Sequence, residues 1–208
     1  INTYRGIIFI KHFHKGLQTA KPSSSYHLAR GILHLGLLGR SKVLCELLLD
    51  ISFNFRGVGR SQGMFENGAG ELSDAASALD WLQSYNKEAR ICWIAGISFG
   101  AWIGMQLLMR RPEIRGFLSV AQPANMYDFT FLAPCPSSGI IIQGDADEVV
   151  TPSATQKLVD KLRTQKHITI HHDTIRGANH FFENETDELM RSVDKYLDMR
   201  LDPNSPIR

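Results

Sequence analysis

Short apolar runs alternate with amphipathic helical patterns through most of the chain. Five runs are rich in branched or aromatic side chains and are bounded by glycine or polar residues: 51–55, 91–95, 116–120, 140–143 and 168–171. Such runs are typical of strands buried in a parallel sheet. The alternation therefore predicts an α/β fold, in which βα units wind a mostly parallel, twisted sheet that carries helices on both faces.

Four stretches with helical spacing lie between and after these runs. They predict helices around residues 72–83, over 100–111, from Thr151 onward, and around 189–197. The second helix should end before Pro112, because the residue preceding a proline is pushed out of the helical region. The connection between the third and fourth strand runs is too short for a cap domain, so we expect an open active site.

Composition indicates one globular domain. The chain has 208 residues, of which 43% are hydrophobic, and this is enough to bury a substantial core in a single domain over residues 1–208. The 23 basic and 21 acidic residues are interspersed, and the net charge is only +2. No surface suited to nucleic acid or to an anionic membrane is predicted. We therefore expect a small-molecule partner, and the sequence leaves the oligomeric state open.

The cysteines and the apolar segments of the sequence indicate where the protein is located and whether it binds a metal. The three cysteines are widely separated and form no CxxC pair, which argues against a disulfide framework and a zinc site. The longest apolar stretch, 31–53, is interrupted by charged residues and should not cross a bilayer. Ile1 opens no signal-peptide pattern, and the lack of an initiator methionine suggests that the sequence begins inside a longer one. We expect a cytoplasmic protein.

A candidate nucleophile lies at the junction of the second strand run and the second helix. Residues 96–100 read Gly-Ile-Ser-Phe-Gly, a GxSxG pattern that directly follows the apolar run. The two glycines suit a tight strand-to-helix turn, on which Ser98 would project outward. At the start of the helix, the backbone N–H of Phe99 is a candidate donor to a developing oxyanion.

A candidate base and a candidate acid follow in the chain. His180 lies in a loop between the last strand run and the last helix, flanked by aromatic residues, where it could activate Ser98; the alternative is a packed loop histidine. Three carboxylates follow the fourth strand run. We favour Asp147 as the acid that orients the histidine, with Asp145 bracing the turn and Glu148 in solvent.

The glycine-rich stretch over residues 54–63 invites a nucleotide-binding interpretation. Its glycines follow the spacing GxGxxxG, which differs from phosphate-binding patterns, and the residues after it form a polar loop rather than a helix. We interpret it instead as a tight crossover turn braced by ion pairs of Arg56 and Arg60. No cofactor is expected.

Four motifs in order resemble the α/β-hydrolase superfamily. They are NFRGxGRSxG after a strand, GxSxG, GxxDxxV after a strand, and GANHFF. Over residues 51–201 the chain is most similar to small, capless, dienelactone-hydrolase-like bacterial serine hydrolases. The resemblance implies a single-domain α/β-hydrolase fold and a triad of Ser98, Asp147 and His180. It also implies cleavage of a carboxylic ester or thioester through an acyl-enzyme, without a metal or an organic cofactor.

Residues 1–50 depart from the family pattern. In the family, a loop rich in His, Pro and Gly after an early strand supplies the second oxyanion N–H. Here residues 6–10 can form that strand and 12–16 that loop, but the prolines and paired glycines are absent. The backbone N–H groups of His14 and Lys15 are our candidates for the donor. We expect this part to be divergent or truncated.

Two alternatives to an ester or thioester hydrolase remain open. A catalytically silent member would be a ligand- or protein-binding module, which active-site labelling would reveal. A third class would use the same triad to transfer the acyl group to an acceptor other than water, or to cleave a peptide bond. The apolar residues around 126–131 could line a pocket, but core packing is the default expectation for them.

Overall fold

The computed structural model of the chain describes residues 7–13, 48–85 and 91–201. In chain order the elements are β1 (Ile7–Phe13), β2 (Leu48–Asn54), α1 (Ala69–Tyr85), β3 (Ile91–Ile97), α2 (Phe99–Leu108), β4 (Ile114–Val120), β5 (Gly139–Gly144), α3 (Pro152–Arg163), β6 (Ile170–Ile175) and α4 (Thr186–Leu201). The described elements thus alternate strand and helix from β2 onward, except between β4 and β5, which a loop connects.

One six-stranded sheet has the order β2-β1-β3-β4-β5-β6. Strands β3 to β6 are parallel neighbours, which confirms the predicted parallel core. Strand β1 runs antiparallel to both β2 and β3. Because β2 is antiparallel to β1, it runs in the same direction as β3. The C-terminal ends of β2 and of β3 to β6 therefore meet at one edge of the sheet, which we call the C-terminal edge.

The observed strands differ in extent from their predicted runs, most of all the first and the last. The first run, 51–55, belongs to a strand that begins earlier, at Leu48, and the last, 168–171, to one that extends to Ile175. In β6, polar residues separate the buried Ile170 from the buried Ile175. The strand continues through them because its backbone pairs in register with β5 as far as Gly144. Backbone pairing of this kind does not require apolar side chains.

The core lies on both faces of the sheet. On one face, side chains such as Phe117 and Ile141 pack against helices α1, α2 and α3. On the other face, Leu118, Ile140 and Ile142 pack against α4. Adjacent residues of one strand point to opposite faces, so these strands are buried on both sides and read as continuous apolar runs. The predicted helices on both faces are confirmed.

The glycine-rich loop after β2 is braced by Arg56. Its guanidinium donates to Asp74 through Nε at 3.0 Å and Nη2 at 2.7 Å, and it also pairs with Glu66. These hydrogen bonds lower the pKa of Asp74 below its ordinary value. The predicted bracing role is therefore supported for Arg56. Arg60 is exposed and forms no ion pair with another described residue, so its predicted role stays a prediction.

Neither a membrane span nor a metal cluster is found within residues 7–13, 48–85 and 91–201. No helix there is both long and apolar enough to cross a bilayer. The same residues contain no group of three or more His, Cys, Asp or Glu side chains that could hold a metal ion. Cys92 and Cys135 are buried free thiols.

Candidate active site

Ser98 lies in the turn between β3 and α2, at the C-terminal edge. Its backbone has φ 51° and ψ −123°, a region that non-glycine residues rarely adopt and that costs roughly 1–3 kcal/mol. The turn is held by neighbouring backbone groups. The backbone N–H of Ser98 donates to the backbone carbonyl of Val120 at 2.9 Å. The backbone carbonyl of Ser98 accepts from the N–H of Ala101, also at 2.9 Å. The sheet and the helix together therefore support the strained residue.

Gly96 is required by the close approach of β3 to the first turn of α2. A Cβ at this position would collide with the backbone carbonyl of Gly100 and would lie 2.6 Å from the Ala101 nitrogen. Both neighbours are main-chain atoms, which cannot rotate away. The first glycine of the GxSxG pattern thus follows from the geometry of the turn that presents Ser98.

Replacing Gly96 by alanine should destabilise the fold by about 1–3 kcal/mol or more, because the new methyl group must displace backbone. Gly104→Ala is the matched control. A Cβ there lies 3.4 Å from flexible atoms of Ile94, and alanine favours a helix over glycine by about 1 kcal/mol. Urea unfolding of both variants measures the difference. Equal stability of Gly96→Ala and the wild type would contradict this account of the turn.

Three side chains predicted to act together are hydrogen-bonded in series. His180 Nε2 lies 2.9 Å from Ser98 Oγ, and His180 Nδ1 lies 2.8 Å from Asp147 Oδ2. The side chains of His180 and Asp147 are 7% and 0% exposed, respectively. With the proton on Nδ1, the imidazole donates to Asp147 and accepts the hydroxyl proton of Ser98. This arrangement can make the serine nucleophilic.

The Asp147 carboxylate is satisfied by four donors. Its Oδ1 accepts the N–H groups of Val149 and Val150, each at 2.8 Å, and its Oδ2 accepts Gln143 Nε2 at 2.8 Å as well as His180. Burial by itself raises the pKa of the Asp147 carboxyl. The hydrogen bonds from His180, Val150 and Val149 lower this pKa by more than burial raises it. The pKa therefore lies below its ordinary value, and the group is ionised at neutral pH.

Gln143 is a site residue that the sequence analysis missed. It is buried at the end of β5, where its Nε2 donates to Asp147 while its Oε1 accepts the Thr155 hydroxyl at 3.0 Å. The bond from Thr155 orients the amide, so that its donor side faces the carboxylate. A signal was present in the sequence, since Gln143 is the one polar side chain in the run Gly139–Gly144.

Asp145 and Glu148 occupy different positions from Asp147. Both are exposed. Asp145 Oδ1 accepts the Gly177 N–H at 2.6 Å, which ties the loop after β5 to the loop that carries His180. Asp145 thus braces the turn as predicted, whereas Asp147 is the carboxylate in contact with the imidazole.

The structure places one of the three candidate oxyanion donors. Phe99 is the first residue of α2, so its backbone N–H follows directly after Ser98 at the positive end of the helix dipole. His14 and Lys15 lie outside the described residues. Strand β1, which precedes them, pairs Phe13 with Ile91, at the end of β3 away from Ser98. The strand thus continues through His12 and Phe13, where the sequence analysis predicted a loop. The described residues therefore do not support His14 or Lys15 as the second donor.

The residues around 126–131 divide between core and surface. Phe129 is buried, in agreement with the expectation that these residues pack in the core, whereas Met126 is 40% exposed. Tyr127 is half-buried, stacks on Trp102 at 4.3 Å between ring centroids and contacts Phe99 at 5.8 Å. Tyr127 and Phe129 also line a cavity of about 460 Å³ between this loop and α3. The segment is therefore only partly core.

Comparison with protein families matches one part of the chain. Residues 49–138 match the sequence profile of the X-Pro dipeptidyl-peptidase (S15) family. This stretch includes Ser98 and the glycine-rich loop, and it ends before Asp147 and His180. The match therefore includes the candidate nucleophile and does not extend to the candidate acid and base.

Similar proteins cover a larger part of the chain. An uncharacterised protein of Rickettsia prowazekii is 52% identical over 151 residues, which is 71% of this chain and 63% of that protein. This chain thus spans less than two thirds of that relative. The structure of a protein of unknown function from Agrobacterium tumefaciens, described as an α/β hydrolase, is 63% identical with a TM-score of 0.72 and covers 74% of this chain and 70% of that one.

A second solved structure has the same architecture and, according to its description, no lid. It is an α/β serine hydrolase from Xanthomonas campestris, 29% identical with a TM-score of 0.66, and the match covers 76% of this chain and 69% of that one. In this chain, residues 121–138 connect β4 to β5 without a helix or strand. From the parallel sheet, the strained serine turn and these matches, we conclude that the chain belongs to the α/β-hydrolase superfamily, and that its described residues form the single-domain fold without a lid.

Proposed function

We propose that the protein is a serine hydrolase that cleaves a carboxylic ester or thioester of a small substrate through an acyl-enzyme on Ser98. The observation that carries this proposal is the series of hydrogen bonds from Asp147 through His180 to Ser98, at 2.8 and 2.9 Å. A serine hydroxyl is a weak nucleophile at neutral pH, and a base in hydrogen-bond contact is what it needs.

The proposed first half-reaction forms the acyl-enzyme. His180 Nε2 takes the hydroxyl proton while Ser98 Oγ bonds to the substrate carbonyl carbon, and the carbonyl oxygen becomes an oxyanion. Asp147 stabilises the imidazolium formed at that moment. The imidazolium then donates its proton to the departing alcohol or thiol as the bond between that group and the carbonyl carbon breaks.

The second half-reaction releases the acid. His180 removes a proton from water, whose oxygen attacks the acyl carbon, and the proton then passes to Ser98 Oγ as the acyl bond breaks. We assign the backbone N–H of Phe99 as one oxyanion donor in both halves. Because β1 ends beside Ile91, at the end of β3 away from Ser98, the geometry disfavours His14 and Lys15 as the other donor, and we leave that donor unassigned. From the number and wide spacing of the three cysteines in the sequence, we also infer a cytoplasmic location.

The proposal is tested by fluorophosphonate labelling of the folded chain. Attack of Ser98 on the phosphorus should give one adduct per molecule, and peptide mapping should place it on Ser98. Heat-denatured protein is the control and should not label. Absence of labelling in a chain that circular dichroism shows to be folded would contradict the proposal and would favour a binding module.

Peptide hydrolysis is the second candidate function. It is favoured by the match of residues 49–138 to the X-Pro dipeptidyl-peptidase family, since the same triad can attack an amide carbonyl. The comparison of p-nitrophenyl acetate with an X-Pro dipeptidyl p-nitroanilide separates the two. Faster turnover of the anilide would make peptidase activity the function. An acyl acceptor other than water would appear in product analysis of the ester reaction.

A further inference from the structure

Most of the exposed large apolar side chains lie around the serine. The described residues have seven of them, Met64, Phe65, Trp81, Tyr85, Met126, Val149 and Phe181. Two of the seven are on α1, and the other five are on the loops that follow β2, β4, β5 and β6. These four strands end at the C-terminal edge, where Ser98 lies. Singly scattered exposed apolar residues are ordinary, but their concentration at one edge indicates a binding surface.

Three of these side chains belong to residues that contact the triad or its neighbours. Phe181 packs edge-on against the His180 ring at 5.1 Å between centroids. Phe65 packs against Phe99, the residue after Ser98, at 5.5 Å. The backbone N–H of Val149 donates to Asp147. These three residues therefore lie next to the triad or to the residue that follows Ser98.

Met126 joins this surface through its neighbour. Asn125 Nδ2 donates to the Val149 backbone oxygen at 2.9 Å, which holds the loop after β4 against the loop after β5. We call Phe65, Met126, Val149 and Phe181 the apolar rim. Each of them is between 40% and 50% exposed, so each has apolar surface left to bury against a ligand.

The loop that carries Met126 also contributes residues to a separate cavity. Tyr127, which follows Met126, lines the cavity and also contacts Phe99. The lining combines the buried Phe129 and Leu158 with polar and charged side chains, among them Asp128, Lys157 and Lys161. A volume of about 460 Å³ is in the range of small-molecule sites.

We infer that the apolar rim binds the hydrocarbon part of the substrate's acyl group, so that the enzyme prefers esters whose acyl chain has several carbons over acetyl esters. This inference rests on the proposed function. The driving force is the removal of methylene groups and rim side chains from water. Each methylene buried in the transition state is worth about a four-fold increase in kcat/KM.

The experiment is a chain-length series with the full chain, from p-nitrophenyl acetate to the octanoate. In the wild type, kcat/KM should rise by about ten-fold or more from acetate to butyrate and should stay above the acetate value at octanoate. Phe65→Ser and Met126→Ser should each lower the octanoate-to-acetate ratio by about four- to sixteen-fold, the equivalent of one or two methylene contacts. Trp81→Ser is the matched control, because Trp81 is 56% exposed on α1; it should leave the ratio unchanged.

Failure of the inference and failure of the proposed function give different results. If the chain labels with fluorophosphonate and hydrolyses acetate, but kcat/KM stays flat or falls with chain length, the rim does not bind the acyl chain and the hydrolase proposal stands. An equal fall in the octanoate-to-acetate ratio of kcat/KM in Trp81→Ser and in the rim variants would also overturn the inference. No labelling and no acetate turnover would overturn both proposals. Circular dichroism of each variant checks that it is folded.

Discussion

Replacing Ser98 by alanine is expected to lower kcat for ester hydrolysis by about 10⁴- to 10⁶-fold. The substitution removes the oxygen that lies 2.9 Å from His180 Nε2, and with it the atom that forms the acyl-enzyme. It should also abolish fluorophosphonate labelling. The fold should be unaffected or slightly stabilised, because alanine removes no other hydrogen bond of the side chain that the described residues show. Turnover of p-nitrophenyl butyrate and mass spectrometry of the labelled chain measure the two effects.

The losses of kcat caused by replacing Ser98 and by replacing His180 should not be additive. A serine and its histidine act as one unit, so His180→Ala should cost about as much as Ser98→Ala, and the double variant should cost little more than either. Turnover of Ser98→Ala within ten-fold of the wild type would show that another group is the nucleophile. Additive losses in the double variant would show that the two residues act in separate steps.

Asp147→Asn is expected to lower kcat by about 10⁴-fold while the chain remains folded. An amide nitrogen facing His180 Nδ1 donates where the carboxylate accepts, so the imidazole turns to the tautomer that carries its proton on Nε2. In that tautomer His180 cannot accept the Ser98 proton. The same amide would also face Gln143 Nε2, which needs an acceptor, so some loss of stability accompanies the loss of activity.

Asp145→Asn is the matched control for this prediction. Asparagine keeps the side-chain oxygen that accepts the Gly177 N–H, and the residue does not contact His180. Its kcat should stay within about three-fold of the wild type, as is usual for a surface change away from the chemistry. Parallel measurement of kcat for the two variants decides the assignment. A larger loss in Asp145→Asn than in Asp147→Asn would make Asp145 the acid.

The architecture of the chain from Leu48 onward follows closely from local sequence. Strands buried on both faces must be continuously apolar, and helices packed on one side must be periodic, so both kinds of element can be read from the pattern. The GxSxG turn is local as well, because Gly96 and Gly100 approach each other within a single turn. Serine, acid and histidine could be named from their order, since each follows a strand that ends at the same edge.

Other features depend on contacts between distant parts of the chain. The direction of β1 is set by its pairing with β2 and β3, and an isolated apolar run does not specify a direction. Gln143 has its role because Thr155 and Asp147 lie on either side of it. The apolar rim collects side chains from four loops that are far apart in sequence. No local pattern distinguishes such a surface residue from an ordinary exposed one.

By itself, the sequence determined the α/β class, the positions of most elements and the three residues to be tested as a triad, because these depend on local periodicity and on turn chemistry. The tertiary structure alone decided what holds Asp147 inward and ionised, and where exposed apolar side chains gather around Ser98. These features depend on packing between loops, which brings together residues that are far apart in the sequence.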